Sequence, residues 1–434
     1  MDSDFDIVIV GAGAAGLAAA NALASAPLRT IVLEARGRIG GRAHTVQSQN
    51  LAVDLGCGWL HSALDNPFSR IAEQLGFEID KSPPHWTRQA GAQNFSRADQ
   101  AAFGAALWAL EVRISKAATK GRDVPVSTLL DPACPFNPLL DAFSGFYNGA
   151  AFDQISTMDY DAYQDGEMNW RLTHGYGTLI TAFGADAPVK LNTPVSAIDH
   201  SGRALRIETP NGTLSTQVVI VTLPTDVLAA GTLTFNPGLP AALQAAADLP
   251  LGLANKVFLG LDAPEQFGPD SHLFGDPSRA ETGSYALRPM GRAMIEGYFG
   301  GTNARELERA GSGAATAFAI EQLCALLGSR FRDRLHPLAE TRWAADPWSR
   351  GSYSHAAPGA AGARAILATP VEQRIIFAGE ACSPHAFSTA HGAAESGRTA
   401  AVHALAQLAD TRDRRLTQRP AGLAAASTWA GGAA

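Results

Sequence analysis

The feature that most constrains the fold is the start of the chain. An apolar, β-branched run from Asp6 to Val10 leads directly into the glycine run GAGAAG at 11–16, and an alanine-rich stretch continues towards Pro27. A second apolar run, Thr30 to Leu33, ends in Glu34. Such runs are typical of buried parallel strands, and proline ends a helix. The segment therefore predicts a strand–helix–strand unit whose helix begins in a glycine-rich turn.

The glycine spacing in this turn is that of a dinucleotide-binding site. In a G-x-G-x-x-G sequence the glycines permit a tight turn, close approach of a diphosphate, and packing of helix on strand. The N–H groups and dipole at the helix start favour the diphosphate, and a carboxylate after the second strand accepts hydrogen bonds from ribose hydroxyls. Glu34 stands 23 positions after Gly11, where that carboxylate is needed. The residues expected to bind NAD or FAD here are Gly11, Gly13, Ala14, Ala15, Gly16 and Glu34.

Composition indicates a globular protein that acts on a small molecule. Its 434 residues, 46% hydrophobic and 17% charged, suffice for two packed domains. The net charge of −7 argues against nucleic acid and anionic membranes as partners and is compatible with a cationic substrate. The sequence shows no export segment and no run of ~18 apolar residues. We expect a cytoplasmic protein without a membrane span.

The four cysteines are widely spaced, at Cys57, Cys134, Cys324 and Cys382. They form neither a C-x-x-C pair nor a metal-ligand pattern. We therefore expect free thiols and no bound metal.

Residue patterns along the chain predict two excursions from the first domain. After about residue 78 the chain becomes less regular and then shows a helical pattern from about 98 to 120. Strand-like segments return at 189–198 and 218–223. These changes indicate that the chain leaves the first domain and comes back to it.

In the second half of the sequence the patterns again indicate that the chain leaves the first domain and returns to it. A strand pattern at 254–261 and a helical pattern at 314–327 precede the buried run RIIFAGEA and a further helical pattern at 392–408. We expect an α/β fold with a discontinuous Rossmann-like cofactor-binding domain and an α+β substrate-binding domain. The expected segments are 1–78, 184–250 and 346–410 for the first, 79–183 and 251–345 for the second, and 411–434 for a flexible tail.

A second motif decides between the two cofactors. The run EARGRIGGR at 34–42 offers glycine N–H groups and arginine guanidinium groups to phosphate oxygens. This E-x-R-x-R-x-G-G-R run resembles the flavin monoamine oxidase superfamily, which includes monoamine oxidases, polyamine oxidases, lysine-specific histone demethylases and L-amino-acid oxidases. The resemblance implies an amine-oxidase-type fold with FAD as the cofactor. It adds Ala35, Arg36, Gly41 and Arg42 to the expected FAD site.

The run DLGCGWLH at 54–61 resembles the segment that lies under the flavin in this family. Its glycines let the backbone approach a planar ring. Trp59 and His61 are equally compatible with the core and with a pocket wall. The resemblance adds Gly56, Gly58 and Trp59 to the cofactor site.

Four further stretches of the chain have counterparts in the family. Val195 and the run VTLP at 221–224 are similar to the segments that hold the adenine end. The runs FAGE at 377–380 and TAHGA at 389–393 resemble the segment at the second phosphate and the ribityl chain. The resemblance thus adds Val195, Gly379, Glu380, Thr389 and Ala390 to the cofactor site.

Lys256 is a candidate catalytic residue. It is the only lysine after Lys190, in a half of the chain that otherwise uses arginine. A lysine in an apolar stretch is normally a surface residue that snorkels to solvent. The run PLGLANK at 250–256, however, resembles the family's strand whose lysine holds a water at flavin N5. A desolvated ammonium there would orient water or assist proton transfer.

The run WAADPWSRGSYS at 343–354 looks much like the same segment of polyamine oxidases and histone demethylases. It implies a cofactor contact for Trp348 and an aromatic wall facing the flavin for Tyr353. Monoamine oxidases have a flavin-bonding cysteine where this chain has Ser352, so we expect noncovalent FAD. Thr389 stands where those enzymes place a second tyrosine. The residues expected to form the catalytic site, with substrate between the last two, are Lys256, Tyr353 and Thr389.

The resemblance implies oxidation of an amine. A neutral amine would give the equivalent of a hydride to flavin N5, and water would hydrolyse the imine to an aldehyde or ketone. O2, or another acceptor, would reoxidise the flavin, with H2O2 formed from oxygen. Polyamines are one candidate substrate, because five acidic residues offer a mouth for a polycation or else form a solvated face. These residues are Asp153, Asp159, Asp161, Asp165 and Glu167.

Two other functions remain open. Phytoene desaturases and protoporphyrinogen oxidases share the N-terminal motif and act on nonpolar or heterocyclic substrates, although Lys256 and the 343–354 segment speak against them. A structural or redox-sensing FAD is the non-enzymatic alternative. The sequence determines neither the amine nor the oligomeric state, for which a homodimer is one option.

Overall fold

Two large β-sheets organise the molecule, whose computed structural model describes residues 3–84, 86 and 89–417. Within these residues one sheet has eight strands, the other has five, and three two-stranded pairs lie apart from them. The strands are β1 (Phe5–Val10), β2 (Thr30–Leu33), β3 (Thr45–Ser48), β4 (Leu51–Asp54), β5 (Ile79–Asp80), β6 (Arg171–Leu172), β7 (Val189–Lys190), β8 (Ala197–Asp199), β9 (Leu205–Thr209), β10 (Gly212–Val221), β11 (Thr234–Asn236), β12 (Leu251–Gly252), β13 (Ala254–Leu261), β14 (Ser271–Phe274), β15 (Ser284–Leu287), β16 (Met294–Gly300), β17 (Leu335–Glu340), β18 (Tyr353–Ser354) and β19 (Ile375–Phe377).

The α-helices begin where the sequence offers caps or a proline. The Asn66 side chain accepts the N–H of Phe68, and Ser96 forms a capping box with Asp99 at the start of the next helix. The helices are α1 (Ala14–Leu23), α2 (Pro67–Gln74), α3 (Arg97–Thr119), α4 (Asn137–Asn148), α5 (Thr157–Ala162), α6 (Tyr176–Phe183), α7 (Thr225–Ala229), α8 (Pro240–Ala247), α9 (Gly301–Arg309), α10 (Ala314–Leu327), α11 (Ala363–Ala368) and α12 (Ala390–Thr417).

The larger sheet has a parallel centre. Strands β7, β2, β1 and β10 lie side by side in parallel, and β19 pairs in parallel with the last residues of β10. The first half of β10 pairs instead with β9 in an antiparallel hairpin. Because parallel strands end at one edge, Val10 lies beside Leu33 and Val221, and Val221 beside Phe377. Open α/β sheets bind ligands at this edge.

The predicted strand–helix–strand unit is confirmed as β1, α1 and β2. Helix α1 starts within the glycine run, where Gly11 has a φ of 103°. A Cβ on Gly16 would lie 1.9 Å from the carbonyl oxygen of Gly11. Glycine is therefore required at both positions, for the turn and for the packing behind it. Helix α12 packs along α1 on the same side of the sheet.

The five-stranded sheet is antiparallel throughout, in the order β14-β15-β16-β13-β17. Every residue of β13, which lies between β16 and β17, is buried. Phe274, at the end of β14, contacts Phe143 of α4 at 5.5 Å between ring centroids, which joins the sheet to the helices α3 and α4. The strand predicted at 254–261 and the helix predicted at 314–327 are confirmed as β13 and α10.

Two elements differ from their predictions. The strand predicted at 189–198 is interrupted between β7 and β8, because Pro194 has no N–H to donate and the N–H of Thr193 bonds to the backbone oxygen of Glu34. Helix α12 continues past Asp410 to Thr417, into the segment predicted as a flexible tail, since no proline occurs between residues 390 and 420. Residues 418–434 lie outside the described residues. In the part that is described, no helix is both long and apolar enough to cross a membrane.

Candidate active site

A cavity of about 830 Å³ begins at the carboxyl edge of the parallel strands and extends to the five-stranded sheet. At the first end its walls include Gly11, Glu34 and Thr222, which follow β1, β2 and β10. At the other end they include Lys256 of β13 and Tyr298 of β16. Ligand sites in proteins commonly have about 300–1,000 Å³. The cavity is large enough for a sizeable ligand.

The structure brings almost all of the sequence-predicted site residues to this cavity. Gly16 does not line it and packs instead against the carbonyl of Gly11. Lining the wall does not assign a role, so the individual roles stay predictions. The lining residues are Gly11, Gly13, Ala14, Ala15, Glu34, Ala35, Arg36, Gly41, Arg42, Gly56, Gly58, Trp59, Val195, Lys256, Trp348, Tyr353, Gly379, Glu380, Thr389 and Ala390.

The first end of the cavity has the chemistry of a dinucleotide site. Glu34 is 3% exposed, and its carboxylate accepts the N–H of Ala12 at 2.7 Å and that of Arg36 at 2.8 Å. A carboxylate has about four lone-pair positions, so about two remain for ribose hydroxyls. At the N-cap Gly13, no side chain of the described residues caps α1. The first N–H groups of α1 are thus available to an anion such as a diphosphate.

The two arginines expected at phosphate are also bonded to the protein. Arg36 donates to the carboxylate of Asp346 and to the hydroxyl of Ser349, both at 2.7 Å. Arg42 donates to the carboxylate of Glu380 at 3.0 Å. A guanidinium has five N–H donors, so these bonds fix each arginine and leave further donors.

Glu380 is a buried carboxylate in the cavity wall. Its Oε2 accepts the hydroxyl of Ser354 at 2.6 Å and the N–H of Ser388 at 2.9 Å. Burial alone would raise the pKa of this carboxyl. Arg42, the Ser354 hydroxyl and Arg364 outweigh burial and hold the pKa below its ordinary value. The wall therefore carries a fixed negative charge here.

Lys256 is a buried cation in the wall of the cavity. It is 7% exposed, and its Nζ lies 3.0 Å from the backbone oxygen of Asp54 and 2.9 Å from Oε1 of Glu296. Burial lowers the pKa of this amine, but Glu296, Tyr298 and Asp54 outweigh burial, so the pKa is raised. The ammonium also packs closely against the backbone of Gly58, because a Cβ added to this glycine would lie only 3.3 Å from Nζ. An ammonium has three N–H donors, which leaves one for the cavity.

Asp54 supports the position of this lysine from the end of β4. Its carboxylate accepts the hydroxyl of Thr45 at 2.5 Å and the N–H of Tyr176 at 3.0 Å, where α6 begins. Its backbone oxygen accepts from Lys256. One residue therefore joins the start of α6 to the lysine.

Two tyrosines meet beside Lys256. The hydroxyl of Tyr353 donates to the backbone oxygen of Phe146 at 2.5 Å and lies 3.1 Å from the hydroxyl of Tyr298. Burial raises the pKa of both hydroxyls, so both are neutral phenols. The aromatic wall predicted at Tyr353 thus has a second ring beside it.

Ser352 and Thr389 use their hydroxyl groups within the protein. Ser352 donates to the backbone oxygen of Ala254 at 2.8 Å and accepts its N–H at 2.9 Å, which fastens β18 to β13. Thr389 donates to the backbone oxygen of Ala386 at 2.6 Å and accepts the N–H of Gly392 at 3.0 Å. The second bond makes Thr389 the cap of α12. Its hydroxyl keeps one lone pair for a ligand.

The acidic stretch at 153–167 does not act as one surface. Asp165 and Glu167 line the cavity, whereas Asp153 and Asp161 are exposed and are not part of its wall. The first pair can meet a ligand, and the second pair belongs to a solvated face.

Asp159 differs from the other four acidic residues, because it is buried and does not line the cavity. It is 3% exposed, and Arg364 donates to its two carboxylate oxygens at 2.6 and 2.8 Å. Its place in the first turn of α5 turns it towards α11 and away from the cavity. Because it is buried and both of its oxygens are already occupied, neither alternative left open by the sequence, a polycation mouth or a solvated face, holds for this residue.

Several wall residues of the substrate end were missed in the sequence. Glu111 of α3 and Tyr147 of α4 belong to the segment 79–183, where no motif matched. Glu296 and Tyr298 stand two positions apart in β16 and therefore share one face of the sheet. A glutamate inside the otherwise apolar run MIEGYFG was the available sign of a functional position.

Known proteins match the chain over most of its length. The family described as "Flavin containing amine oxidoreductase" matches residues 14–121 and 134–405. Polyamine oxidase 4 of Oryza sativa subsp. japonica is 28% identical, over 91% of this chain and 87% of its own length. Lysine-specific histone demethylase 2 of Homo sapiens is also 28% identical, over 90% of this chain. The chain spans only 52% of the length of that demethylase.

The fold is also similar to that of a solved amine oxidase structure. A solved structure of wild-type putrescine oxidase with putrescine bound superposes with a TM-score of 0.76 and 19% identity, covering 93% of this chain and 99% of the other. The resemblance inferred from the motifs is confirmed, and the desaturase alternative is not favoured. With this α/β fold and the family match over both halves, the chain belongs to the flavin-containing amine oxidoreductases and oxidises an amine.

Proposed function

We propose that the protein is an oxidase of diamines or polyamines that binds FAD without a covalent bond and passes electrons to O2. The observation that carries this proposal is the cavity, which has dinucleotide chemistry at one end and unpaired carboxylates at the other. Amine oxidation follows from the family. The choice of amine, the form of the flavin and the acceptor are the proposed parts.

FAD fits the first end of the cavity. Glu34 would hold a ribose, the start of α1 the diphosphate, and the loop at Val195 the adenine. When bound, the flavin accepts the equivalent of a hydride from the carbon next to the amine nitrogen. Ser352 offers no thiol for a flavin bond. The Cys57 thiol does line the cavity, but burial and Asp54 raise its pKa to about 12, so it is a poor nucleophile.

The substrate end carries an excess of negative charge. Its arginine and lysine are both neutralised: Lys256 pairs with Glu296 at 2.9 Å, and Arg171 pairs with two aspartates at 2.6 and 2.7 Å. Three more carboxylates line this end without an ion-pair partner among the described residues. They are Glu111, Asp165 and Glu167.

This charge distribution favours a diamine that binds with one nitrogen charged and the other neutral. The unpaired carboxylates attract a distal ammonium, and aromatic walls such as Tyr147 and Trp86 exclude water and favour a cation at the ring face. Near Lys256, by contrast, the carboxylate of Glu296 is already paired with the lysine, so a second ammonium finds no free counterion there. The nitrogen that approaches Lys256 is therefore preferentially neutral, which is the form that can be oxidised.

The test is an anaerobic substrate screen. The holoenzyme is mixed with a diamine, a triamine, a monoamine of the same length and the matching amino alcohol, and the visible flavin absorbance is followed. We expect the diamine or triamine to bleach the flavin at a half-saturating concentration at least about tenfold lower than the monoamine, since one charge-assisted contact contributes about 1.5–3 kcal/mol. Bleaching by the monoamine at an equal concentration would refute the polyamine assignment.

The same samples test the acceptor and the flavin form. Admission of O2 should restore the absorbance and release one H2O2 per flavin. Denaturation should release all of the FAD from the protein. Yellow precipitated protein would contradict the noncovalent assignment, and absence of peroxide would indicate another acceptor.

A further inference from the structure

Strands β13 and β16 bring Lys256 and Glu296 together across the sheet. The register pairs Lys256 with Tyr298 and Phe258 with Glu296, so the lysine and the glutamate are diagonal neighbours on one face. The Nζ–Oε1 distance is 2.9 Å, and Nζ lies 5.9 Å from the ring centre of Phe258 and 6.0 Å from that of Tyr298. The side chain of Glu296 is 26% exposed and lines the cavity.

We propose that Glu296 is a positioning residue that acts through Lys256, by holding the lysine ammonium at the cavity wall and keeping it charged. The inference rests on the proposed function and on the position beside the flavin that the family resemblance implies for Lys256. Two aromatic rings and 7% exposure leave little water to stabilise the ammonium. Without Glu296, the backbone oxygen of Asp54 would be its remaining acceptor among the described residues.

The other titratable groups that face this ammonium cannot replace Glu296. Burial raises the pKa of Cys57 to about 12, raises that of Tyr298 and lowers that of His61, so all three are uncharged near neutral pH. The remaining group is the carboxyl of Asp54, whose pKa burial raises and whose oxygens already accept three hydrogen-bond donors at the start of α6. Glu296 is therefore the counterion that determines the charge of the lysine.

Removal of this counterion has a defined consequence. Glu296→Gln removes the largest of the effects that oppose burial, so the pKa of Lys256 falls and the amine loses its proton at a lower pH. A charge that appears or disappears beside the flavin changes the flavin's visible spectrum. The titration can thus be observed in the resting holoenzyme, without a substrate and without turnover.

The experiment is a pH titration of flavin absorbance in the wild type, Glu296→Gln, Lys256→Met and the double variant. We expect Glu296→Gln to gain a one-proton transition with a midpoint at least about one pH unit below the ordinary lysine value of about 10.4. The wild type should lack it, and so should both proteins with methionine at 256, because methionine does not titrate. The matched control is Glu321→Gln, which breaks a surface pair with Arg332 and should behave as the wild type.

Two results would overturn the proposal. One is a Glu296→Gln spectrum without a new transition, and the other is a transition that persists in the double variant and so belongs to another group. Glu296→Asp keeps the charge and should show no new transition, which covers the case in which the glutamine variant does not fold. Because no amine is added, failure here is distinct from failure of the proposed substrate.

Discussion

Asp159 and Arg364 form a forked ion pair in which both side chains are at most 4% exposed, although 205 positions separate them in the sequence. Arg364 also donates to the Ser354 hydroxyl at 2.9 Å and lies 3.7 Å from the ring centre of Phe387. Phe387 lines the cavity. The pair therefore fastens α5 to the wall of the site.

We expect Asp159→Asn to lower the free energy of unfolding by about 3–5 kcal/mol, because it leaves a buried guanidinium without its counterion. Chemical denaturation followed by tryptophan fluorescence measures the change. Arg332→Met breaks a pair whose side chains are 51% and 69% exposed and should change stability by less than about 1 kcal/mol. Equal losses in the two variants would contradict the role of the buried pair.

Glu34→Ala should weaken the retention of FAD by at least about tenfold, since a hydrogen bond to a charged group contributes about 1.5–3 kcal/mol. The measurement is the ratio of flavin to protein absorbance after gel filtration. Glu208→Ala, at an exposed position on β9 of the same sheet, should keep the wild-type ratio. A Glu34→Ala protein that remains fully yellow would remove Glu34 from the ribose site.

Lys256→Met should leave FAD bound but slow flavin reduction or reoxidation by about 10²-fold or more, the usual range for a lost proton-transfer group. Anaerobic and oxygen-mixing stopped-flow measurements separate the two steps. If neither rate changes, Lys256 has no part in the chemistry.

Thr389→Val tests whether the hydroxyl of this residue takes part in catalysis or stabilises the start of α12. Valine keeps the shape but removes the cap of α12, so we expect a loss of about 1 kcal/mol in stability and little change in flavin reduction. Thr389→Ser should regain the stability. A large fall in the reduction rate of the valine variant, with stability unchanged, would instead assign the hydroxyl to catalysis.

The stability of the protein should fall as the pH is lowered, because the histidines at 355 and 391 are buried. Burial lowers the pKa of His355 and of His391 from 6.5 to about 4, whereas the unfolded chain takes up these protons near pH 6.5. Between these values the unfolded state binds more protons, so the stabilisation present above about pH 6.5 is progressively lost as pH falls, by about 2 kcal/mol per histidine at about pH 5. In the double variant His355→Gln/His391→Gln, the free energy of unfolding from denaturation curves should depend less steeply on pH. The control His336→Gln, at an exposed position, should show the same pH dependence as the wild type. A double variant with the wild-type slope would contradict this assignment.

The sequence predicts best where local chemistry determines the structure. The unit β1–α1–β2 follows from apolar runs and from glycines that no other residue can replace at Gly11 and Gly16. The edge of the parallel sheet then brings together segments that are far apart in sequence. This is why residues predicted singly, such as Glu34 and Glu380, line one cavity.

Prediction fails where a partner is distant. From the sequence alone Asp159 has the character of a surface acid, and its pairing with Arg364 is visible only in the structure. The glutamate at 296 is unusual in its apolar run, but its partner Lys256 is identified only when β13 and β16 are paired. Thr389 is predicted to lie in the substrate site because it stands where the monoamine oxidases have a second tyrosine, and the sequence pattern places the helix start later, at about residue 392. The helix starts at Ala390, which makes Thr389 its cap.

Asp54 determines how this enzyme can be redesigned. Its carboxylate accepts the first N–H groups of α6 and its backbone oxygen accepts from Lys256, so a substitution of Asp54 would loosen the start of this helix next to the backbone that supports the lysine. Libraries aimed at new substrates should therefore keep residue 54 fixed and vary the inner face of α3, where Leu107 and Glu111 line the cavity without starting a helix.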